Sequence, residues 1–279
     1  MAMGTSTKLR YQHDGNLLHL RTTIESVQAL SSLDETNRNL FKGADPDTDF
    51  VLTVQETIFH PQGGGQPSDE GTITVTDAEG EEENGTPPTL EMKAARHAAH
   101  NDDIVLHLVR PTNPSTTTTS LQPGTAVHLS VNAQKRHLYS RLHTAGHVLG
   151  SAVRRSVGSR IPDFDELKAS HFPDSAACEF RGSVAGEMKG EIQAEVDSLV
   201  QQALPVEIEF WTREDFVREG MQHLLPEREG ETFRVVRIRG AEVYPCGGTH
   251  VGSTGECGKV GVRKIARSKG NSRVSYTVS

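Results

Sequence analysis

Apolar residues recur along the chain in two rhythms, and the change from one to the other divides it. Residues 50–55 and 71–75 alternate as short strands do, and 104–109 and 126–131 read the same way. Between the first two lies His60-Pro61-Gln62-Gly63-Gly64-Gly65-Gln66-Pro67-Ser68-Asp69, a turn-rich stretch that neither a helix nor a central strand could hold. Residues 77–88 are acidic and contain Gly and Pro, the composition of an exposed insertion, and 111–120 form a Thr/Pro/Ser tract expected to be a mobile loop. Short strands with turns at this spacing predict a small β-barrel or sandwich over 1–131.

The rhythm changes at Asn132, a residue suited to cap a helix. Leu138, Leu142, Ala145, Leu149 and Ala152 then follow at steps of four and three, a helical apolar stripe that Gly158 is placed to end. A strand is expected at 177–180, a second helix over 186–203 with Ile192, Val196, Leu199 and Val200 on one face, and strands at 205–211, 231–238, 260–266 and 273–278. Helices and strands mixed without strict alternation predict an α+β domain over 132–279. No internal repeat is present, and 1–48 carries no distinctive motif.

Composition narrows the class. A chain of 279 residues suits one large domain or two, and 34% hydrophobic against 24% charged residues is that of a soluble globular protein. No apolar run is long enough to span a membrane, and the polar start of the chain has no secretory core. Three cysteines, Cys178, Cys246 and Cys257, make a disulfide framework a poor expectation and a reducing cytoplasm a better one. The net charge of −8 argues against a nucleic-acid partner, but the charges are segregated. From Ile104 to Pro162 no acid interrupts Arg110, Lys135, Arg136, Arg141, Arg154, Arg155 and Arg160. None interrupts Lys259, Arg263, Lys264, Arg267, Lys269 and Arg273 after Cys257. This is either a basic face for an anionic ligand or a solvated charge pattern with no partner.

The chemistry sits in two short motifs. His143-Thr144-Ala145-Gly146-His147 puts two imidazoles one helical turn apart, where they either reach one metal ion or are ordinary helix histidines. Thr144 stands where a metalloprotease helix needs its glutamate, so that class is excluded. Cys246-Gly247-Gly248-Thr249-His250 places a thiolate and an imidazole four apart on a glycine-rich turn. Together they supply His143, His147, Cys246 and His250, a set that suits tetrahedral Zn²⁺. Cys178 and Cys257 have no partner at ligand spacing and read as structural.

The paired motifs resemble the editing domain shared by alanyl-tRNA synthetases and freestanding alanyl-tRNA editing proteins, the AlaX group. The likeness extends to the glycine-rich loop at 59–71, to Thr254-Gly255-Glu256 and to Lys269-Gly270-Asn271-Ser272-Arg273-Val274, and so covers about 50–279. It implies a cytoplasmic, zinc-dependent deacylase that removes a wrong amino acid from tRNA, most directly serine from tRNA(Ala). His143, His147, Cys246 and His250 would be the zinc ligands. Gln66 falls on the loop glutamine that faces the pocket in relatives, and Ser170 and His171 on a stretch beside that pocket. Gln66, Thr144, Ser170 and His171 are the candidates for contact with the reacting ester or its hydroxyl, Gly63, Gly64 and Gly65 for the loop around it. Arg154, Arg155, Lys269 and Arg273 are the candidates for holding the tRNA backbone. Glu242 replaces a common Asp and would support the ligands from behind. Nothing resembles the ATP-binding motifs of a synthetase. The competing expectation is a non-catalytic RNA-binding module in which a closed, four-ligand zinc is structural.

Overall fold

The computed structural model describes residues 6–76, 87–113, 121–227 and 232–279. Most of the acidic insertion and of the Thr-rich tract expected from the sequence lies outside these residues. The strands are β1 Lys8–Leu9, β2 His19–Ala29, β3 Phe50–Val54, β4 Glu56–Thr57, β5 Gly71–Val75, β6 Thr89–Ala98, β7 Asn101–Pro111 and β8 Ala126–Val131. They continue with β9 Asp165–Ser170, β10 Ala177–Arg181, β11 Val206–Trp211, β12 Phe233–Ile238, β13 Glu242–Pro245, β14 Val260–Ser268 and β15 Asn271–Val278. The helices are α1 Glu35–Arg38, α2 Ala133–Ser156, α3 Lys189–Gln201 and α4 Arg213–Arg218.

Two compact units divide the chain: Met1–Gly63 with Pro67–Arg136, and Gly64–Gln66 with His137–Ser279. The glycine loop is therefore split, with Gly63 in the first unit and the next three residues in the second.

The first unit is a closed six-stranded barrel in the order β2-β3-β7-β6-β5-β8. Its interior is filled by alternate residues such as Leu52, Val54, Ile73, Val105, Val109, Val127 and Leu129. The opposite faces of β3 and β7 are also covered, because Leu30, Leu33 and Phe41 pack on Val51, Leu106 and Leu108. That explains why β7 is apolar on both sides, and it gives the motif-less segment around α1 its role.

The second unit has a sheet in the order β14-β15-β10-β9 and a separate one in the order β11-β12-β13. Leu142, Ala145, Leu149 and Ala152 of α2 share a core with Ile192, Val196 and Leu199 of α3 and with Phe180, Val274 and Tyr276 of the larger sheet. The Asn132 side chain accepts from the Lys135 backbone N–H at 3.1 Å, which is the cap expected for α2. The architecture is mixed α/β with few helices, and no described helix is long and apolar enough to cross a membrane.

The charge segregation does not build an uninterrupted basic face. Acids distant in sequence pair with most of the first basic group: Arg110 with Asp49, Lys135 with Glu70, Arg136 with Asp69, Arg154 with Glu166, Arg155 with Glu195 and Arg160 with Glu191. Arg141 donates to the carbonyls of Cys257 and Ser279. In the second group Arg273 pairs with Glu179, while Arg263, Lys264, Arg267 and Lys269 lie exposed on the β14–β15 hairpin.

Candidate metal centre and adjoining cavity

Helix α2 carries His143 and His147 on one face, and the turn after β13 carries Cys246 and His250. The ligand atoms of these four residues all lie within 4.8 Å of one another. Cys246 Sγ is 3.3 Å from His143 Nε2 and 3.4 Å from His250 Nε2. A tetrahedral ion with bonds of about 2.0–2.3 Å sets ligand-to-ligand edges of roughly 3.3–3.7 Å, so the spacing fits a metal ion.

The outer edges of the rings are held as well. Gln66 Oε1 accepts from the Thr249 backbone N–H at 3.0 Å and lies 2.7 Å from His143 Nδ1. The oxygen can only accept, so His143 Nδ1 carries the proton and Nε2 keeps its lone pair toward the cluster. Thr144 Oγ1 is 3.1 Å from His250 Nδ1 and accepts from the Val251 N–H. Glu242 Oε1 is 3.6 Å from His147 Nδ1, the supporting position expected for this carboxylate. Its other oxygen is buried with no hydrogen-bond partner among the described residues. An orphaned carboxylate oxygen here calls for positive charge nearby. The charges of the cluster point the same way. Burial opposes a charge on His147, yet Cys246 and Glu242 push its imidazole up to about 10. Burial likewise opposes the Cys246 thiolate, but His147 holds that thiol below its usual range. The donor set therefore stabilises a cation.

Two glycines make the arrangement possible. A Cβ on Gly248 would come within 2.1 Å of the His143 ring, so the Cys-Gly-Gly-Thr-His turn can lie against that ligand only without a side chain there. A Cβ on Gly146 would come within 2.3 Å of the ring of His171, which packs over α2 and stacks on His143 at 4.1 Å between centroids.

Beside the cluster lies a cavity of about 350 Å³, lined by Gly64, Gly65, His143, His147, Glu166, His171, Tyr244 and Cys246 among others. Of the residues expected at the ester, His171 is on its wall. Its Nδ1 is 2.7 Å from the Tyr276 hydroxyl, which donates to the Leu142 carbonyl at 2.8 Å. Nδ1 is therefore the donor and Nε2 an acceptor. Burial and the charge of His147 push His171 down to about 3, so the ring is neutral at physiological pH.

Gln66 and Thr144 are placed differently from the expectation. Both are fully buried, both are absent from the cavity wall, and both hold metal-site histidines. Gln66 Nε2 also donates to Thr249 Oγ1 at 2.9 Å. Gln66→Ala should consequently weaken zinc binding by about 10–100-fold, measured by competition with a chelator of known affinity. An unchanged affinity would remove this role. Ser170 ends β9 and is likewise absent from the wall, as is Gly63. Arg154 sits between Glu166 and Glu242, Arg155 reaches Glu195 and the Gly240 carbonyl, and Arg273 reaches Glu179 and the Ser175 carbonyl. Of these four, Lys269, at φ 49° in the hairpin turn, is the one exposed without a carboxylate partner among the described residues. Glu166, Tyr276 and Thr249 were not distinguished by the sequence. Burial and Glu242 push Glu166 up to about 7.

Residues 233–275 match the family described as threonyl and alanyl tRNA synthetase second additional domain. The chain is 27% identical over 241 residues to an alanine–tRNA ligase of Gluconobacter oxydans, covering 81% of this chain and 25% of the relative. It is 30% identical over 242 residues to that of Methanosphaera stadtmanae, covering 82% and 24%. With that of Petrotoga mobilis the identity is 28% over 299 residues, covering 99% and 32%. The chain thus spans 24–32% of the length of these relatives.

Proposed function

Because the chain is an alanyl-tRNA synthetase-related editing domain, we propose that it is a zinc-dependent aminoacyl-tRNA deacylase that clears serine from tRNA(Ala) supplied from solution. The observation that carries the reading is the joining of a three-histidine, one-cysteine cluster to a cavity large enough for an aminoacyl group. His143, His147, Cys246 and His250 would hold the ion, with Gln66, Glu242 and Thr144 fixing the rings from behind. Bound zinc supplies a Lewis acid that polarises a carbonyl or lowers the pKa of water. The protein supplies orientation and a partly dry pocket.

Specificity falls to His171. Gln66 and Thr144 are buried behind the ligands and absent from the cavity wall, whereas His171 lines it and its Nε2 is an acceptor. A serine hydroxyl can donate to it, and an alanine side chain leaves it unpaired. A buried site built for a hydroxyl discriminates against a substrate lacking it by up to about 10⁴-fold. Ser-tRNA(Ala) is expected to be deacylated far faster than Ala-tRNA(Ala), and His171→Ala to narrow the gap by slowing the serine ester. Equal rates for both esters with the unaltered protein would refute the hydroxyl-reading role.

The RNA backbone is assigned to the exposed β14–β15 hairpin around Arg263, Lys264, Arg267 and Lys269, which have no carboxylate partner among the described residues. Arg154, Arg155 and Arg273 are tied to carboxylates and contribute less than expected from the sequence.

A further inference from the structure

Four large apolar side chains are exposed among the described residues: Leu167, Phe210, Val217 and Tyr244. Two of them, Leu167 on β9 and Tyr244 on β13, belong to the wall of the cavity beside the metal cluster. Tyr244 is 36% exposed and also borders a second, larger cavity of about 1060 Å³. Its position relative to the reacting centre is fixed twice. It lies two residues before Cys246 on a strand paired to β12, Tyr244 opposite Val236. Its ring stands edge-on to His147 at 6.0 Å between centroids and 66° between planes. This aromatic face belongs to none of the apolar cores and is open to a ligand beside the cluster.

We propose that Tyr244 is the stacking platform for the terminal adenine of the tRNA, with Leu167 adding apolar contact on the same wall. The inference rests on the deacylase reading, which puts the scissile ester at the cluster. The base is then one ribose ring away from the reacting carbonyl, and Tyr244 is the aromatic side chain the cavity offers at that remove. A flat base suits the site better than a protein partner does. The apolar surface is a single ring and one leucine set among Glu166, Lys168 and Glu179, too small and too charged for a docking patch. Stacking on a tyrosine face is strong and indifferent to the amino acid carried by the ribose. Tyr244 therefore contributes to holding every aminoacyl-tRNA alike, while His171 sorts them.

The test is binding of a stable substrate analogue, the seryl amide of 3′-amino-3′-deoxyadenosine, to the zinc-loaded protein. Tyr244→Ala should raise its dissociation constant about tenfold or more, Tyr244→Phe should keep it within about twofold, and the cytidine analogue should bind more weakly than the adenosine one. In turnover, Tyr244→Ala should raise KM for seryl and alanyl esters by the same factor and leave their ratio unchanged. An unchanged dissociation constant in Tyr244→Ala, or an equal loss in Tyr244→Phe, would overturn the assignment. Tyr244-dependent binding by a protein that cleaves no aminoacyl ester would instead sink the deacylase reading and leave the platform standing.

Discussion

Alanine in place of Cys246 is expected to remove both the metal and the activity. The thiolate is the one anionic ligand of the four, and it lies 3.3 and 3.4 Å from two of the imidazoles. Without it three neutral rings remain around the ion, and Glu242 alone balances the charge from behind His147. Metal content per chain should fall well below one, and deacylation should fall on the order of 10³-fold, since Lewis-acid assistance is worth several kcal/mol and each factor of ten is about 1.4 kcal/mol. Elemental analysis and single-turnover deacylation on the same preparation check this. Full occupancy with an unaltered rate would mean that Cys246 is not a ligand.

The second large effect is on the barrel. Arg136 reads in the sequence as one of a basic series, but it is 2% exposed. Its Nε donates to Asp69 at 3.0 Å, and its two terminal nitrogens reach the Gly15 carbonyl at 2.7 Å and the Ile58 carbonyl at 2.6 Å. Asp69 also accepts the His60 backbone N–H at 2.6 Å, so the pair ties the two ends of the 60–69 stretch to the start of α2. Arg136→Ala leaves a buried carboxylate without its counter-charge, a loss of about 3–5 kcal/mol. Urea unfolding should show a lowered midpoint at nearly the same slope. Replacing both partners at once, Arg136→Met with Asp69→Leu, should recover only the part due to the unpaired charge, because the Gly15 and Ile58 carbonyls and the His60 N–H lose their partners. A cost under about 1 kcal/mol for Arg136→Ala would show that water reaches Asp69.

What could be read from the sequence was local. The stripe at Leu142, Ala145, Leu149 and Ala152, the Asn132 cap and the alternation of β8 survive because helix and strand periodicity are properties of neighbouring residues. The two ligand pairs are local for the same reason. β6 was not legible: Glu91, Met92, Lys93, Ala94 and Ala95 favour a helix, and only the barrel core, which takes Leu90, Met92 and Ala95, makes them a strand. β2 escaped because Ile24 is its one fully buried side chain. The basic stretches misled because charge was counted along the chain, while Asp49, Glu70 and Asp69 arrive from 61, 65 and 67 residues away. The support of the ligands is equally non-local. Gln66 and Thr249 meet across 183 residues, and nothing in their spacing announces it. Glycines at 146 and 248 were visible, but their reason, the rings of His171 and His143 packed against them, is tertiary.

The account stands or falls on one comparison: deacylation of Ser-tRNA(Ala) by this 279-residue chain stripped of metal, and by the same preparation after one equivalent of Zn²⁺. It predicts slow background hydrolysis for the stripped protein and restored catalytic turnover on reconstitution, with far-UV circular dichroism unchanged between the two. Turnover that persists at the full rate in metal-free protein, or none from a folded protein carrying one zinc per chain, would contradict it, the latter outcome leaving a structural zinc in an RNA-binding module.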